Sequence, residues 1–172
     1  MAAAILIACE LPAGRRQRDR IMPIAARLAS AGRRITVALR NPATAPASPG
    51  WSAVTAPAWR ALPPPGFVAS SYADLLLGGG YATPDALRPL LRDWLGLLDR
   101  VRPDLVIADH APTALLAARN AGVPAAALGD GFAWPPASHP LPPLRPWLAN
   151  SAAAAASAEG RVLAVVNAVQ AA

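Results

Sequence analysis

The stretch RPDLVIADHAPTALLAARNAGVPAAAL, residues 102–128, predicts a strand, a helix and a second strand in succession. Residues 105–108 are continuously apolar, without polar alternation, which is typical of a strand covered on both faces of a parallel sheet. The helical segment begins near Pro112 and ends at Gly122, because glycine readily adopts the left-handed conformation that closes a helix. Residues 123–128 are again apolar, so the stretch predicts one β-α-β unit with two buried strands.

The first forty residues repeat this order. The run AAILIAC at 3–9 predicts a buried first strand, and 34–40, with alternating Ile, Val and Leu, predicts a second. A further amphipathic helix is predicted over 83–101. Alternating strands and helices indicate a parallel sheet with helices on both faces, joined by right-handed crossovers. The predicted fold class is therefore α/β, with a single Rossmann-like domain.

Proline interrupts this pattern in two places. Residues 41–67 and 134–148 predict long loops, with a short strand near Ser52 in the first of them. We assign residues 1–150 to the Rossmann-like domain and residues 151–172 to an alanine-rich tail that ends in a helix.

Composition and charge exclude several classes of function. The chain has 172 residues, which suits about one domain, and its net charge of +6 is the balance of 16 arginines against 10 acidic residues. The arginines cluster only at Arg15, Arg16, Arg18 and Arg20, without the interleaved aromatic residues that stack on bases, so we expect no nucleic-acid partner. Cys9 is the single cysteine, which excludes an internal disulfide and a thiolate zinc site.

The apolar runs are too short to predict a membrane span. Proline, glycine or a charged residue interrupts every candidate before about eighteen apolar residues accumulate. The sequence LIAC at 6–9 resembles a lipoprotein cleavage site, but only eight residues precede the cysteine and none of them is basic. We therefore expect a cytoplasmic protein.

Three segments should meet at the carboxyl ends of the strands, where open α/β sheets bind ligands. They are 10–20, 109–110 and 130–134. Asp109 either faces a ligand or caps the helix that begins at Pro112. His110 either contacts a ligand or is an exposed loop histidine. The arginines at 15–18 either hold an anion at a helix N-terminus or form a solvated surface.

The residues RPDLVIADHAPTALLAARNAGVPAAALGDGFAWPP at 102–136 resemble the signature region of the N-terminal, acceptor-binding domain of GT-B glycosyltransferases, in particular the bacterial UDP-glucuronosyltransferase-like group. The segments IMPIAARLASAGRRITVALR at 21–40 and YADLLLGGGY at 72–81 are similar to that group as well. The resemblance covers nearly the whole chain. It implies one half of a two-domain fold, whose other half holds the nucleotide diphosphate sugar.

The resemblance also implies a catalytic pair, and this sequence departs from it. The family places a general-base histidine after the first strand, oriented by an aspartate at the end of a later strand, and Asp109 matches that aspartate. Alignment on Arg20 puts Gln17 at the position of the histidine in the family's GHxxR pattern and Arg16 at the position of the glycine. Glutamine does not accept a proton near pH 7, so the pair is broken; Glu10 or His110 as a substitute base stays open.

The candidate site follows from these positions. Asp109 and Gln17 occupy the catalytic positions, and the acceptor-binding residues are Gly14, Arg20, His110, Phe132 and Trp134. The resemblance implies a small-molecule or lipid acceptor, no metal and no cofactor bound by this chain. A nucleotide diphosphate sugar would be the co-substrate once a donor domain is supplied, because the sequence ends before that domain.

Three functions are compatible with this sequence. We expect the acceptor half of a hexosyl transferase that is inactive alone. The first alternative is a non-catalytic subunit that docks a separately encoded donor-binding chain, as in the two-chain N-acetylglucosaminyltransferase of eukaryotic lipid-linked oligosaccharide synthesis. The second is a truncated product.

Overall fold

The computed structural model describes residues 2–11, 14–44, 50–59, 66–129 and 136–171. The strands are β1 (Ala4–Cys9), β2 (Arg34–Leu39), β3 (Trp51–Thr55), β4 (Leu105–Asp109) and β5 (Ala125–Leu128). The α-helices are α1 (Gly14–Ser30), α2 (Tyr72–Leu76), α3 (Pro84–Val101), α4 (Pro112–Asn120) and α5 (Ser151–Gln170). A 3₁₀ turn covers Pro42–Thr44, and a π-helical turn covers Leu77–Tyr81.

The five strands form one sheet in the order β3-β2-β1-β4-β5, and every neighbouring pair is parallel. The predicted α/β fold class with a Rossmann-like parallel sheet is confirmed. The chain moves outward from β1 through β2 to β3, then crosses to the other side of β1 for β4 and β5. The strand order therefore reverses between β1 and β4, and the carboxyl ends of these two strands are where such sheets bind ligands.

The chain divides into two compact units, each made of two segments. Unit 1 comprises residues 1–58 and 91–133, and unit 2 comprises residues 59–90 and 134–172. This division does not follow the predicted boundary after residue 150, because residues 59–90 and 134–150 group with α5 rather than standing as loops of the sheet domain.

The core of unit 1 lies against the central strand. All six residues of β1 are buried, as predicted from the apolar run at 3–9. Ile21 and Ala25 of α1 lie four residues apart on one helix face and pack into the cluster of β1 and β2 side chains. At the amino ends of β1 and β4, the Asp104 carboxylate accepts a hydrogen bond from the Ala4 N–H at 2.8 Å. This contact fixes β1 beside the start of β4.

The last strand of the sheet differs from its prediction. Residues 123–128 were expected to form a buried strand, but Ala125 and Ala126 are exposed and Ala127 and Leu128 are only half-buried. Among the described residues β5 pairs only with β4, so it is an edge strand. The apolar run was correct as a strand signal and wrong about burial, since it cannot distinguish an edge from the sheet interior.

Unit 2 is organised around a tightly packed turn. Ser71 begins α2 with a capping box, in which its hydroxyl accepts from the Asp74 N–H and the Asp74 carboxylate accepts from the Ser71 N–H. The Trp59 ring lies against Gly79, where an added Cβ would come within 1.6 Å of the ring. Trp59 also meets Tyr81 edge to face, with ring centroids 6.4 Å apart. The glycine run at 78–80 thus makes room for an indole.

Helix α5 is longer than the sequence predicted. It begins at Ser151, so the alanine tract is its first half, and the buried positions Ala155, Ala158, Val162, Val165 and Val169 recur at three- and four-residue spacing. Among the described residues α5 alone has the length and composition to cross a membrane, with a mean hydropathy of 1.2. This is weak evidence for a span, because core helices of soluble proteins can have the same length and composition.

Candidate functional site

The candidate site begins at the carboxyl ends of β1 and β4. Cys9 and Asp109, the last residues of these strands, are directly paired in register. Glu10 follows β1 and His110 follows β4, so Cys9, Glu10, Asp109 and His110 lie together at the switch point. All of them belong to unit 1.

The Asp109 carboxylate is fully buried and forms an ion pair with Arg20. The guanidinium Nε donates to Oδ2 and Nη2 donates to Oδ1, both at 2.8 Å. The Arg20 side chain is 27% exposed, whereas the Asp109 side chain has no exposure. Two parallel N–H···O bonds match the planar guanidinium to the carboxylate, and this geometry offsets the cost of burying the negative charge.

Gln17 approaches the same residue from the same helix face. Its Nε2 donates to the Asp109 main-chain oxygen at 2.9 Å, and the side chain is buried. Residues three apart on an α-helix are neighbours on its surface, which explains why Gln17 and Arg20 both reach Asp109. The amide is thus a donor in this site, and it does not accept a proton near pH 7.

Glu10 caps the N-terminus of α4. In one alternative, the sequence assigned this cap to Asp109. The buried Oε2 of Glu10 accepts from the Thr113 N–H at 2.8 Å, at the first turn of α4. The N-cap residue of α4 is Ala111, which has no side-chain cap, and the Asp109 carboxylate binds Arg20 instead. The capping alternative for Asp109 is therefore wrong, because the carboxylate that holds the helix N-terminus comes from the neighbouring strand.

His110 is not an exposed loop histidine. It is half-buried, and its φ of 53° lies in the left-handed region that non-glycine residues seldom adopt. Its main-chain oxygen accepts from the Leu11 N–H at 3.1 Å. Together with the bond from Thr113 to Glu10, this contact fixes the β4–α4 turn from the end of β1 and holds His110 in a strained conformation.

The Cys9 thiol is chemically inert in this setting. Burial, followed by the negative charge of Asp109, raises the pKa of the Cys9 thiol to about 12, and the positive charge of Arg20 opposes this rise. The nucleophilic form of cysteine is the thiolate, so a neutral buried thiol does not attack a substrate near pH 7. Cys9 therefore serves as a packed core residue at the edge of the site.

The structure brings together four of the predicted site residues, Gln17, Arg20, Asp109 and His110, around the ends of β1 and β4. Gly14 is the first residue of α1. Phe132 and Trp134 lie outside the described residues. Within the described part of the chain there is no cluster of His, Cys, Asp and Glu that could hold a metal ion.

The sequence matches no protein-family model and no curated protein. Among solved structures, it is similar to the glycotransferase of kitacinnamycin, with 18% identity and a TM-score of 0.48 over 74% of this chain. It is also similar to CalG4, the calicheamicin glycosyltransferase (22%, TM-score 0.47, 77% of this chain), and to the Streptomyces sp. SF2575 glycosyltransferase SsfS6 (19%, TM-score 0.43, 75%). The matched regions span 30%, 31% and 39% of those chains, respectively.

Proposed function

We propose that this chain is the acceptor-binding half of a nucleotide-sugar-dependent hexosyl transferase, of the bacterial UDP-glucuronosyltransferase-like group of GT-B enzymes. The sequence support is the stretch at 102–136, which resembles the acceptor domain of that group. The structural support is the cluster at the switch point of the sheet. The acceptor is a small molecule or a lipid, and the expected compartment is the cytoplasm.

The contact between Gln17 and Asp109 is the observation that carries this proposal. In the family that the sequence resembles, a base after the first strand works with an aspartate at the end of a later strand. Here the residues at these two positions, one on α1 and one on β4, are 2.9 Å apart through the Gln17 amide and the Asp109 main-chain oxygen. The two positions therefore meet, although the base is replaced.

The same geometry explains why we propose that the chain has no transferase activity of its own. A sugar hydroxyl or phenol becomes a competent nucleophile when a positioned base removes its proton during attack. Gln17 cannot take that proton, and both carboxylate oxygens of Asp109 are bound by Arg20. Glu10 is engaged with the Thr113 N–H, so His110 is the one substitute base left open by the sequence, and the turnover assay below tests it. We propose that the site binds and orients an acceptor. The nucleotide diphosphate sugar requires a donor-binding domain.

Acceptor binding can be tested on the purified chain by NMR. We would titrate the isotope-labelled chain with a panel of phenols and glycosidic alcohols, and separately with UDP and TDP. The expected result is a saturable shift of the main-chain amides of Gln17, Arg20 and His110 by at least one acceptor and by neither nucleotide. The Arg27→Ala variant is the control: this exposed arginine lies on the same helix as Gln17 and Arg20, and the variant should show the same shifts as the unmodified chain. If no compound shifts these amides, the site is not an acceptor site.

Turnover is tested with the same preparation. The purified chain, supplied with UDP- and TDP-hexoses and the acceptors that bind, should transfer no sugar. Specific transfer by the chain alone would contradict the proposed inactivity while leaving the acceptor site in place.

One observation favours the second candidate, a non-catalytic subunit that docks a separate donor-binding chain. Large apolar side chains in unit 2 face solvent: Trp147 is 76% exposed, Leu148 45% and Leu163 41%. Trp147 and Leu148 are neighbours in the chain, and adjoining exposed apolar side chains mark sites of contact with a partner. A donor-binding chain encoded beside this one should co-elute with it in size-exclusion chromatography, and Trp147→Ser should weaken that complex. Co-elution unaffected by Trp147→Ser would reject this surface.

A further inference from the structure

The positive charge of the chain is concentrated in residues 1–58, the first segment of unit 1. They contain eight of the 16 arginines but only two acidic residues, Glu10 and Asp19, whereas the rest of the chain has eight of each and is neutral overall. Glu10 is buried against the Thr113 N–H, and Asp109 neutralises Arg20. The other seven arginines of the segment therefore share one exposed carboxylate, that of Asp19.

An apolar groove lies on the flank of α1, within this segment. It has a volume of about 520 Å³ and is lined by Pro23, Ile24, Arg27 and Leu28. Pro23 is exposed, and Ile24 and Leu28 are half-buried because they also pack against the core of β1 and β2. The groove is wide open to solvent, unlike a pocket that encloses most of a small ligand. It therefore suits an extended surface better than a small molecule.

Two arginines border the groove. Arg27 lines it, and the turn that ends α1 brings Arg33 next to Leu28. In this turn Gly32 has a φ of 78°, and the Arg33 N–H donates to the Leu28 main-chain oxygen at 3.1 Å, as in a Schellman motif. Both arginine side chains are exposed, and neither forms an ion pair with a carboxylate of the described residues. Two positive charges without a counter-ion thus border an apolar groove.

The groove is separate from the candidate acceptor site. Gln17 and Arg20 reach Asp109 from the first half of α1. Arg27 lies ten residues beyond Gln17, which is about 15 Å along the helix axis. The exposed Asp19 lies about 12 Å along the axis from Arg27, beyond the Debye length of about 8 Å at physiological salt. Its carboxylate therefore does not neutralise the arginines that border the groove.

We propose that this face of α1 docks the chain on a lipid bilayer that contains anionic phospholipid. Pro23, Ile24 and Leu28 lie at the boundary between headgroups and acyl chains, and Arg27 and Arg33 contact the lipid phosphates. A helix with basic and apolar side chains binds in the plane of the interface in this way, and anionic lipids attract each arginine near the surface. Such docking is peripheral and requires no membrane span. It is independent of the proposed acceptor function.

A nucleic acid is the other polyanion that these arginines could bind. Its phosphates would pair with Arg27 and Arg33 but would leave the apolar groove open to water. The described residues that line the groove also include no aromatic ring on which a base could stack. A bilayer satisfies both the charges and the apolar side chains, so it fits this face better.

The test is cosedimentation of the purified full chain with lipid vesicles. One set contains equal amounts of phosphatidylcholine and phosphatidylserine, and the other contains phosphatidylcholine alone. We expect saturable binding to the first set at physiological salt and much weaker binding to the second. Binding should be lost at about 1 M salt, where the Debye length falls to about 3 Å. Arg27→Glu and Arg33→Glu should each weaken binding about tenfold, because each change replaces an attraction by a repulsion.

Arg119→Glu is the matched control. Arg119 is exposed and lies in the last turn of α4, as Arg27 lies in the last turn of α1, so both changes alter the net charge and a helix end equally. The crossovers from β1 to β2 and from β4 to β5 run in opposite directions along the sheet, so right-handed connections place α1 and α4 on opposite faces. We expect Arg119→Glu to bind within about twofold of wild type.

A further variant tests the apolar part of the surface. Pro23→Ser keeps every charge and should weaken binding about threefold through lost apolar burial. Circular dichroism confirms that each variant is folded, and Arg33→Glu, which lies outside the helix, carries the test if Arg27→Glu does not fold. Three results would overturn the proposal: no binding to the anionic vesicles, equal effects of Arg119→Glu and the two groove variants, or tighter binding to a DNA duplex than to the vesicles at the same salt.

Discussion

The buried carboxylates of Asp109 in unit 1 and Glu159 in unit 2 are stabilised differently. In unit 1 both oxygens of Asp109 bind one guanidinium, from a helix 89 residues earlier in the chain. In unit 2 the oxygens of Glu159 bind a histidine ring and a main-chain N–H from a segment 18 to 20 residues away. The first carboxylate joins two elements of the sheet fold, whereas the second fastens a surface segment.

The two acids differ in how strongly each depends on its partner. Asp109 has no exposure, so its negative charge depends on a full positive charge nearby. Glu159 lies close to the surface, and the side chain of His139 is 75% exposed, so water can replace that contact. We therefore expect the loss of its partner to be much more costly for Asp109 than for Glu159.

The largest expected effect follows from removing the positive charge beside Asp109. Arg20→Met keeps much of the aliphatic stem but leaves the buried carboxylate without its counter-ion. We expect a loss of about 2–4 kcal/mol in the free energy of unfolding, somewhat below the range for fully buried pairs because Arg20 is partly exposed. Urea denaturation followed by tryptophan fluorescence measures it.

Two variants complete this experiment. Arg27→Met changes an exposed arginine on the same helix and should cost less than about 0.5 kcal/mol. Adding Asp109→Asn to Arg20→Met removes the orphaned charge, so the double variant should be more stable than Arg20→Met alone. A loss for Arg20→Met no greater than that for Arg27→Met would show that the ion pair does not stabilise unit 1.

The second prediction addresses Glu159. Glu159→Ala leaves the Leu141 N–H without its acceptor, and we expect a loss of about 1–2 kcal/mol together with faster amide exchange at Leu141. His139→Ala removes only the exposed partner and should cost less than about 0.5 kcal/mol. Equal losses for the two variants would mean that the histidine, rather than the main-chain bond, holds residues 139–141 against α5.

The sequence predicted the sheet because its signals are local. The runs at 3–9 and 105–108 are continuously apolar, and such runs become strands covered on both faces. The exposed β5 could not be predicted in the same way, since its alanines do not record whether another strand lies beside them. The grouping of residues 59–90 with α5 was missed for a related reason: it depends on contacts of α2 with α5, which are far apart in the sequence and leave no periodic trace.

The sequence predicted which residues lie at the candidate site but not which groups they bind there. The rule that ligands gather at the carboxyl ends of parallel strands placed Gln17, Asp109 and His110 together. Which acid caps α4 depended on register, because β1 and β4 are neighbours and Glu10 extends one residue beyond the paired Cys9. A prediction that set the two strands side by side would have put Glu10 near the helix N-terminus as well as Asp109.

The third prediction tests that cap. Glu10→Ala removes the acceptor for the Thr113 N–H, and we expect a loss of about 1–2 kcal/mol, the usual cost of deleting a helix N-cap. Glu10→Gln keeps an oxygen in place and should lose less than about 1 kcal/mol. Thermal unfolding measures both. If the alanine and glutamine variants are equally stable, the bond to α4 does not fix the turn that holds His110.

The smallest effect on stability comes from Cys9, whose thiol is buried beside Asp109. Its pKa of about 12 compares with 9.0 for an ordinary thiol, so at pH 8 the native chain should react with iodoacetamide about a thousandfold more slowly than the urea-unfolded chain. Because the folded state holds this proton more tightly than the unfolded state, its contribution to stability is complete below pH 9.0 and is lost as the pH rises towards 12. Arg20 lowers this pKa, so any Arg20→Met chain that remains folded should be less reactive still. Native alkylation as fast as that of the unfolded chain would show that the thiol is not buried at the end of β1.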